Sequence, residues 1–236
     1  MSRPLQVVVV NGSPRAEGSR TMGLAAVVTD TLADLMPIEV RRVDVYGLGA
    51  GFTGAVIRDD VPADVEEALR LVETADLLIP AVPVYRASYP GMFKHLFDLV
   101  DQYALANKPV LLVATGGSDR HALVLEHQLR PLFGFFQALT VPVAFYAGAG
   151  SFDGALVLDP EVYSRVETGL ADVADLLRAR AARARRPAEG NPAPAPECST
   201  GRGRDRQCER CVLSEGSPKT PPRAPCVECD LYSVYV

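Results

Sequence analysis

The sequence predicts an α/β protein with five parallel strands in one sheet and helices on both of its faces. Three observations carry this. The run Val7-Val8-Val9-Val10 is apolar without alternation, as a strand buried on both faces is. Strand-like runs then alternate with helical segments five times. The first run leads at once into a small polar turn and a helix, an arrangement in which free backbone N–H groups and the helix dipole favour an anion.

That turn is Asn11-Gly12-Ser13-Pro14-Arg15-Ala16-Glu17-Gly18-Ser19-Arg20-Thr21. It is neither G-x-x-x-x-G-K-[ST] nor G-x-G-x-x-G, so neither the triphosphate loop nor the dinucleotide fingerprint is present. Hydroxyls and arginines suit a terminal phosphate monoester such as that of FMN. The same residues also read as an N-capped helix start with surface arginines.

Leu24, Val27, Val28, Thr31, Leu32 and Leu35 then form one apolar helix face, which Pro37 ends. Ile38 to Val45 reads as the second strand. Tyr46 to Gly54, with four glycines, reads as a loop. Asp64 to Glu73 is a short helix with Pro62 at its start. The third strand, Ala75 to Val82, delivers the chain into Pro83-Val84-Tyr85-Arg86-Ala87-Ser88-Tyr89-Pro90-Gly91. Met92 to Gln102 is a helix. The fourth strand, Pro109 to Ala114, ends in Thr115-Gly116-Gly117-Ser118. A long helix is expected over Arg120 to Leu139, with Leu125, Leu129, Leu132, Phe133 and Phe136 inside. Val141 to Tyr146 is the fifth strand. Pro160 to about Arg185 is the last helix, with Val162, Val166, Leu170, Val173 and Leu177 inside.

Right-handed crossovers make a flavodoxin-like order, 2-1-3-4-5, the simplest for five units, in a three-layer sandwich. Ligands of such sheets sit beyond the carboxyl ends of the strands at the switch point. The loops after strands one, three and four meet there, and they are the unusual loops of this chain. The first suits phosphate. The third offers flat apolar surface and proline-held amides, and the fourth lets backbone come close to a ring. Phosphate at one end and a planar heteroaromatic at the other describe FMN. Taken singly, Tyr85 and Tyr89 also read as packed aromatics and Thr115 to Ser118 as an ordinary turn.

These stretches together, with Lys94 and His121-Ala122-Leu123-Val124-Leu125-Glu126-His127-Gln128-Leu129-Arg130-Pro131-Leu132, resemble the NAD(P)H-dependent FMN reductase family. They resemble most the reductases of two-component alkanesulfonate and methanesulfonate monooxygenase systems. The resemblance covers residues 5 to about 180. It implies that Ser13, Arg15, Ser19, Arg20 and Thr21 hold the FMN phosphate. It implies that Pro83, Val84, Tyr85 and Arg86 line the isoalloxazine, with Thr115, Gly116, Gly117 and Ser118 on its other side. It further implies hydride transfer from NADH or NADPH, with no catalytic acid or base, and delivery of reduced FMN to a flavin-dependent monooxygenase by a homodimer or homotetramer. It puts His127 where relatives carry an extra aromatic in a π-bulge at a subunit interface; the residues alone read as a surface histidine on an ordinary helix. The same motifs also serve FMN-containing quinone and azo reductases. A flavoprotein electron carrier or redox sensor is the alternative outside enzymes. Lys94 and Asp98, four apart, read as a surface pair.

With 48% hydrophobic and 22% charged residues, the composition is that of a globular protein. A net charge of −5 gives no reason to expect nucleic acid. No apolar run approaches the roughly 20 residues of a membrane helix. The start directly into a strand reads as lacking a signal peptide, so a cytoplasmic protein is expected. Residues 1–186 form the expected flavodoxin-like domain, and 187–236 a Pro/Arg-rich tail. All five cysteines lie in that tail. Cys208-x2-Cys211 and Cys226-x2-Cys229, 14 residues apart, read as a four-thiolate zinc site, one residue short of the usual ribbon spacing. A rubredoxin-like iron centre and a disordered tail with incidental cysteines are the other readings. Cys198 stands outside the pairs.

Overall fold

The structure, a computed structural model, describes residues 3–15 and 17–183. Five strands, β1 (Leu5–Asn11), β2 (Ile38–Asp44), β3 (Leu77–Pro83), β4 (Pro109–Gly116) and β5 (Leu139–Gly148), form one sheet in the order β2-β1-β3-β4-β5. Every pairing is parallel. The expected flavodoxin-like architecture is therefore the observed one.

Alternate residues of each strand feed two separate cores, because side chains alternate across a sheet. Val8 and Val10 join the core under α3 (Ala63–Thr74) and α4 (Gly91–Leu99). Val7 and Val9 join the core under α1 (Arg20–Leu35) and α6 (Pro160–Arg183). All four valines are at most 3% exposed, which is why the run shows no polar alternation. Each such burial stabilises by about 1.5–3 kcal/mol. The apolar face expected of the last helix is buried as well: Val162, Val166, Leu170, Val173 and Leu177 all sit in the second core.

Three local expectations are corrected. Tyr46 to Gly54 is not a loop. It holds a 3-10 turn, Val45–Gly47, and a short helix, α2 (Gly49–Gly54). Its glycines disfavour helix, but Phe52 is fully buried against the His95 ring, with centroids 4.7 Å apart. The His95 Nε2 also lies 2.9 Å from the Phe52 carbonyl oxygen. Tertiary packing overrides propensity there. On β2, Val40 is 45% exposed because the strand is a sheet edge. Gln102 lies outside α4, which ends at Leu99.

The long helix is broken into parts. A 3-10 turn, Asp119–His121, precedes a π-helical turn, Leu125–Leu129, and α5 (Arg130–Phe135). Pro131 has no N–H for the His127 carbonyl, and its ring crowds that carbonyl, so the chain widens one turn earlier. Gln137, at φ 55°, then turns the chain into β5. A small hairpin, β6 (Phe152–Asp153) and β7 (Leu156–Val157), was not expected. Strands of two residues carry no readable period. No described helix is long and apolar enough to cross a membrane.

Candidate functional site

The carboxyl ends of β1, β3 and β4 converge, as their neighbouring places in the sheet require. The first loop is built on Asn11, which is fully buried. Its Oδ1 accepts the Ser13 N–H at 2.9 Å, and its amide donates to Asp44 Oδ1 at 2.8 Å. The same amide reaches the Arg15 carbonyl at 3.4 Å. Gly12 donates its N–H to the Ala81 carbonyl at 2.8 Å, and a Cβ there would lie 2.9 Å from Val82 Cγ1. Asn11 thus bends the chain so that Ser13 and Arg15 face the cavity described below.

Ser19 stands at the N-cap of α1, yet its hydroxyl makes no capping bond. It is buried and opens into the cavity described next. The first turn of α1 holds no acidic residue. Arg15 and Arg20 make no side-chain hydrogen bond or ion pair among the described residues. A helix N-terminus beside two guanidiniums that pair with nothing among the described residues, and beside the unbonded Ser19 hydroxyl, has the character that favours an anion.

The third loop is tied to the fourth by the Val84 N–H donating to the Thr115 carbonyl at 2.8 Å. Tyr85 and Ser88 then exchange both backbone bonds, at 2.7 and 3.0 Å, around a two-residue turn. Its central residues are Arg86 at φ 50° and Ala87 at φ 67°, a left-handed pair that normally selects glycine or asparagine. Ser88 Oγ donates to Gln128 Oε1 at 3.1 Å, which fastens the turn to the π-helical segment. In the fourth loop Gly116 is crowded: a Cβ there would lie 2.2 Å from the Tyr146 hydroxyl oxygen. That hydroxyl donates to the Ser118 carbonyl at 2.5 Å. Burial raises the Tyr146 phenol, and likewise that of Tyr89, above the ordinary range.

The three loops enclose one cavity of about 440 Å³, within the range of small-molecule sites. Ser13, Arg15, Ser19, Arg20 and Thr21 line one end. Pro83, Val84, Tyr85, Thr115, Gly116 and Gly117 line the other. Thr21 and Thr115 join the ends through a hydroxyl pair at 2.7 Å, both side chains buried. Arg86 and Ser118 lie outside the wall: Arg86 is exposed at the turn tip, and Ser118 is held by Tyr146. Sequence reasoning missed Asn11, Gly18 and Gly154. Gly18 at φ 63° and Gly154 at φ 58° both line the cavity, and Gly154 arrives on the unforeseen hairpin. Only the left-handed turn demand on a glycine could have flagged them.

A planar ring with a phosphate tail fits this chemistry. Gly18, Gly117 and Gly154 have nothing within 4 Å of a would-be Cβ, so their backbones stand open to a ligand. His127 lies in the π-helical turn, as the resemblance implied, and is exposed. Lys94 and Asp98 form the expected ion pair on α4. Among the described residues no group of three or more His, Cys, Asp or Glu is placed to hold a metal. Cys198, Cys208, Cys211, Cys226 and Cys229 lie outside the described residues.

Residues 5–152 match a family model described as NADPH-dependent FMN reductase. The chain is 46% identical over 177 residues to the NADH-dependent FMN reductase SfnF of Pseudomonas fluorescens, spanning 75% of this chain and 94% of that one. It is 43% identical over 180 residues to an FMN reductase (NADPH) of Pseudomonas aeruginosa, spanning 76% and 96%. Among solved structures, the apo form of the NADH:FMN oxidoreductase EmoB superposes with a TM-score of 0.63 at 31% identity, covering 74% of this chain and 89% of that one.

Proposed function

The chain belongs to the NADPH-dependent FMN reductase family, and from that premise we propose that it reduces FMN with NADH or NADPH and supplies reduced FMN to a flavin-dependent monooxygenase. One observation carries the reading: three loops meet in one cavity with Arg15 and Arg20, unpaired among the described residues, at one end and Val84, Gly116 and Gly117 at the other.

FMN bound there supplies the hydride-accepting ring, so the chain needs no acid–base pair of its own. Arg15 and Arg20, with the Ser13 and Ser19 hydroxyls, hold the phosphate as charge-assisted and neutral donors. Thr21 and Thr115 share a hydrogen bond and keep the two ends of the cavity at a set separation. Val84 and Tyr85 give the ring an apolar wall, and Gly116 and Gly117 let backbone reach its polar edge. The turn Arg86-Ala87 borders that wall, and Ser118 braces the fourth loop through Tyr146.

The finer expectations belong with this proposal. The exposed Leu123 and Phe135 beside the π-helical turn support a homodimer or homotetramer built on that side. A cytoplasmic location accords with a need for nicotinamide cofactor. The proposed 1–186 domain is followed by a tail whose Cys208, Cys211, Cys226 and Cys229 would bind zinc by their spacing alone.

Steady-state NADH and NADPH oxidation, with and without added FMN, tests the function. A rate that requires added FMN and saturates with it supports the reading. A yellow protein that reduces quinones or dyes without added FMN replaces it with a bound-cofactor reductase. No nucleotide oxidation under either condition overturns it.

A further inference from the structure

A second depression, of about 170 Å³, lies beside the flavin-type cavity. Val84 belongs to the walls of both, so the two are separated by one side chain. The far wall comes from the segment that follows the fourth loop and bears Arg120, His121, His127 and Gln128. No carboxylate lines it.

The acids nearest in sequence are turned elsewhere. Glu126 is held by Arg130 through two bonds, at 2.6 and 2.8 Å. Asp119 faces β5, where its Oδ1 would lie 2.7 Å from a Cβ on Gly148. Arg120, His121 and His127 make no side-chain hydrogen bond or ion pair among the described residues. A concave surface next to a redox pocket, with one guanidinium, two imidazoles and no competing acid among its described lining residues, favours a phosphate. A nicotinamide placed against the flavin ring brings its own phosphates to within reach of such a neighbour.

We infer that this depression receives a phosphate group of the reduced nicotinamide dinucleotide, with Arg120 as its principal charge partner and His121 beside it. The inference rests on the flavin reading of the adjoining cavity. The phosphate comes either from the pyrophosphate common to both nucleotides or from the 2′-phosphate of NADPH alone. Arg120 is then a specificity residue outside the FMN contacts.

The test uses the full chain as wild type, Arg120→Ala and Arg120→Lys. NADP⁺ and NAD⁺ are titrated calorimetrically into FMN-containing protein, and KM and kcat are measured for NADPH, NADH and FMN. Arg120→Ala is expected to weaken nucleotide binding about tenfold, the low end for losing a charge-assisted bond at an exposed site. KM for FMN should stay within twofold, and Arg120→Lys should recover most of the loss. Weakening of NADP⁺ alone assigns the 2′-phosphate; equal weakening of both nucleotides assigns the pyrophosphate. Unchanged nucleotide affinity, or KM for FMN rising in step, overturns the inference. Nucleotide binding that depends on Arg120 without any FMN reduction would leave it standing and defeat the functional proposal instead.

Discussion

Replacing Asn11 by alanine should separate the phosphate end of the cavity from the ring end. The side chain makes two good hydrogen bonds, to the Ser13 N–H and to Asp44 Oδ1, and a long one to the Arg15 carbonyl. A typical bond contributes about 1 kcal/mol and one to a carboxylate about 1.5–3 kcal/mol. Asp44 is partly exposed and keeps Arg42 at 2.9 Å, so water and that arginine compensate its loss in part. The net cost is about 2–4 kcal/mol. At roughly 2–4 °C per kcal/mol for a domain of this size, the thermal midpoint should fall by about 10 °C. The sharper consequence is functional. Without the bond to Ser13, the first loop no longer holds its amides and hydroxyls toward one point. FMN affinity should fall about 10–100-fold, the equivalent of one charge-assisted contact. Riboflavin lacks the phosphate and should bind as before. Fluorescence titration with both flavins makes the comparison. Equal weakening of FMN and riboflavin, or no change in either, would refute the assignment of Asn11 as the organiser of a phosphate loop.

Other outcomes follow from single contacts. Lys108 is buried and donates to the Ala75 carbonyl at the end of α3, and burial lowers its amine from 10.5 to about 8. Folding therefore disfavours the protonated form: the cost is full below about pH 8 and is relieved as pH rises toward the unfolded value. Stability of the wild type should climb between about pH 8 and 10, by at most about 3 kcal/mol, and Lys108→Met should abolish the climb in urea titrations at the two pH values. Ala87→Gly relieves a left-handed φ of 67° and should raise stability by about 1 kcal/mol with the turn intact, read as a higher thermal midpoint. Gly116→Ala drives a methyl into the Tyr146 hydroxyl 2.2 Å away and should lower FMN affinity. Adding Tyr146→Phe should restore part of it, and failure of the double variant to recover any would show that the clash lies elsewhere.

Much of the fold and most of the cavity wall were legible in the sequence, for a local reason. Val7 to Val10, Val110 to Val113 and the helix faces of α1 and α6 state their burial by pattern, since a doubly covered strand has no polar side to show. The loop residues Ser13 to Thr21 and Thr115 to Gly117 were readable because their chemistry is unusual beside those strands. Phe52 was not readable: a helix among four glycines exists only because the His95 ring and the core behind it are there to receive the phenyl group. Gly154 was equally hidden, since its left-handed turn matters only once the hairpin lies against the start of α1. That proximity shows at Gly23, where a Cβ would collide with the Ala155 carbonyl oxygen.

Sequence alone therefore determined which segments pair and cover one another, and which three loops share an edge. Hydrophobic period and right-handed crossover leave few other arrangements for five such units. Tertiary structure alone decided which side chains reach the cavity. It took Arg86 and Ser118 out of the wall, brought Gly18 and Gly154 into it, and paired Glu126 with Arg130 while Arg120 has no ion pair among the described residues. These outcomes depend on angles and distances between residues far apart in the chain. No local pattern encodes them, because each is settled by whichever partner the packed neighbours leave free.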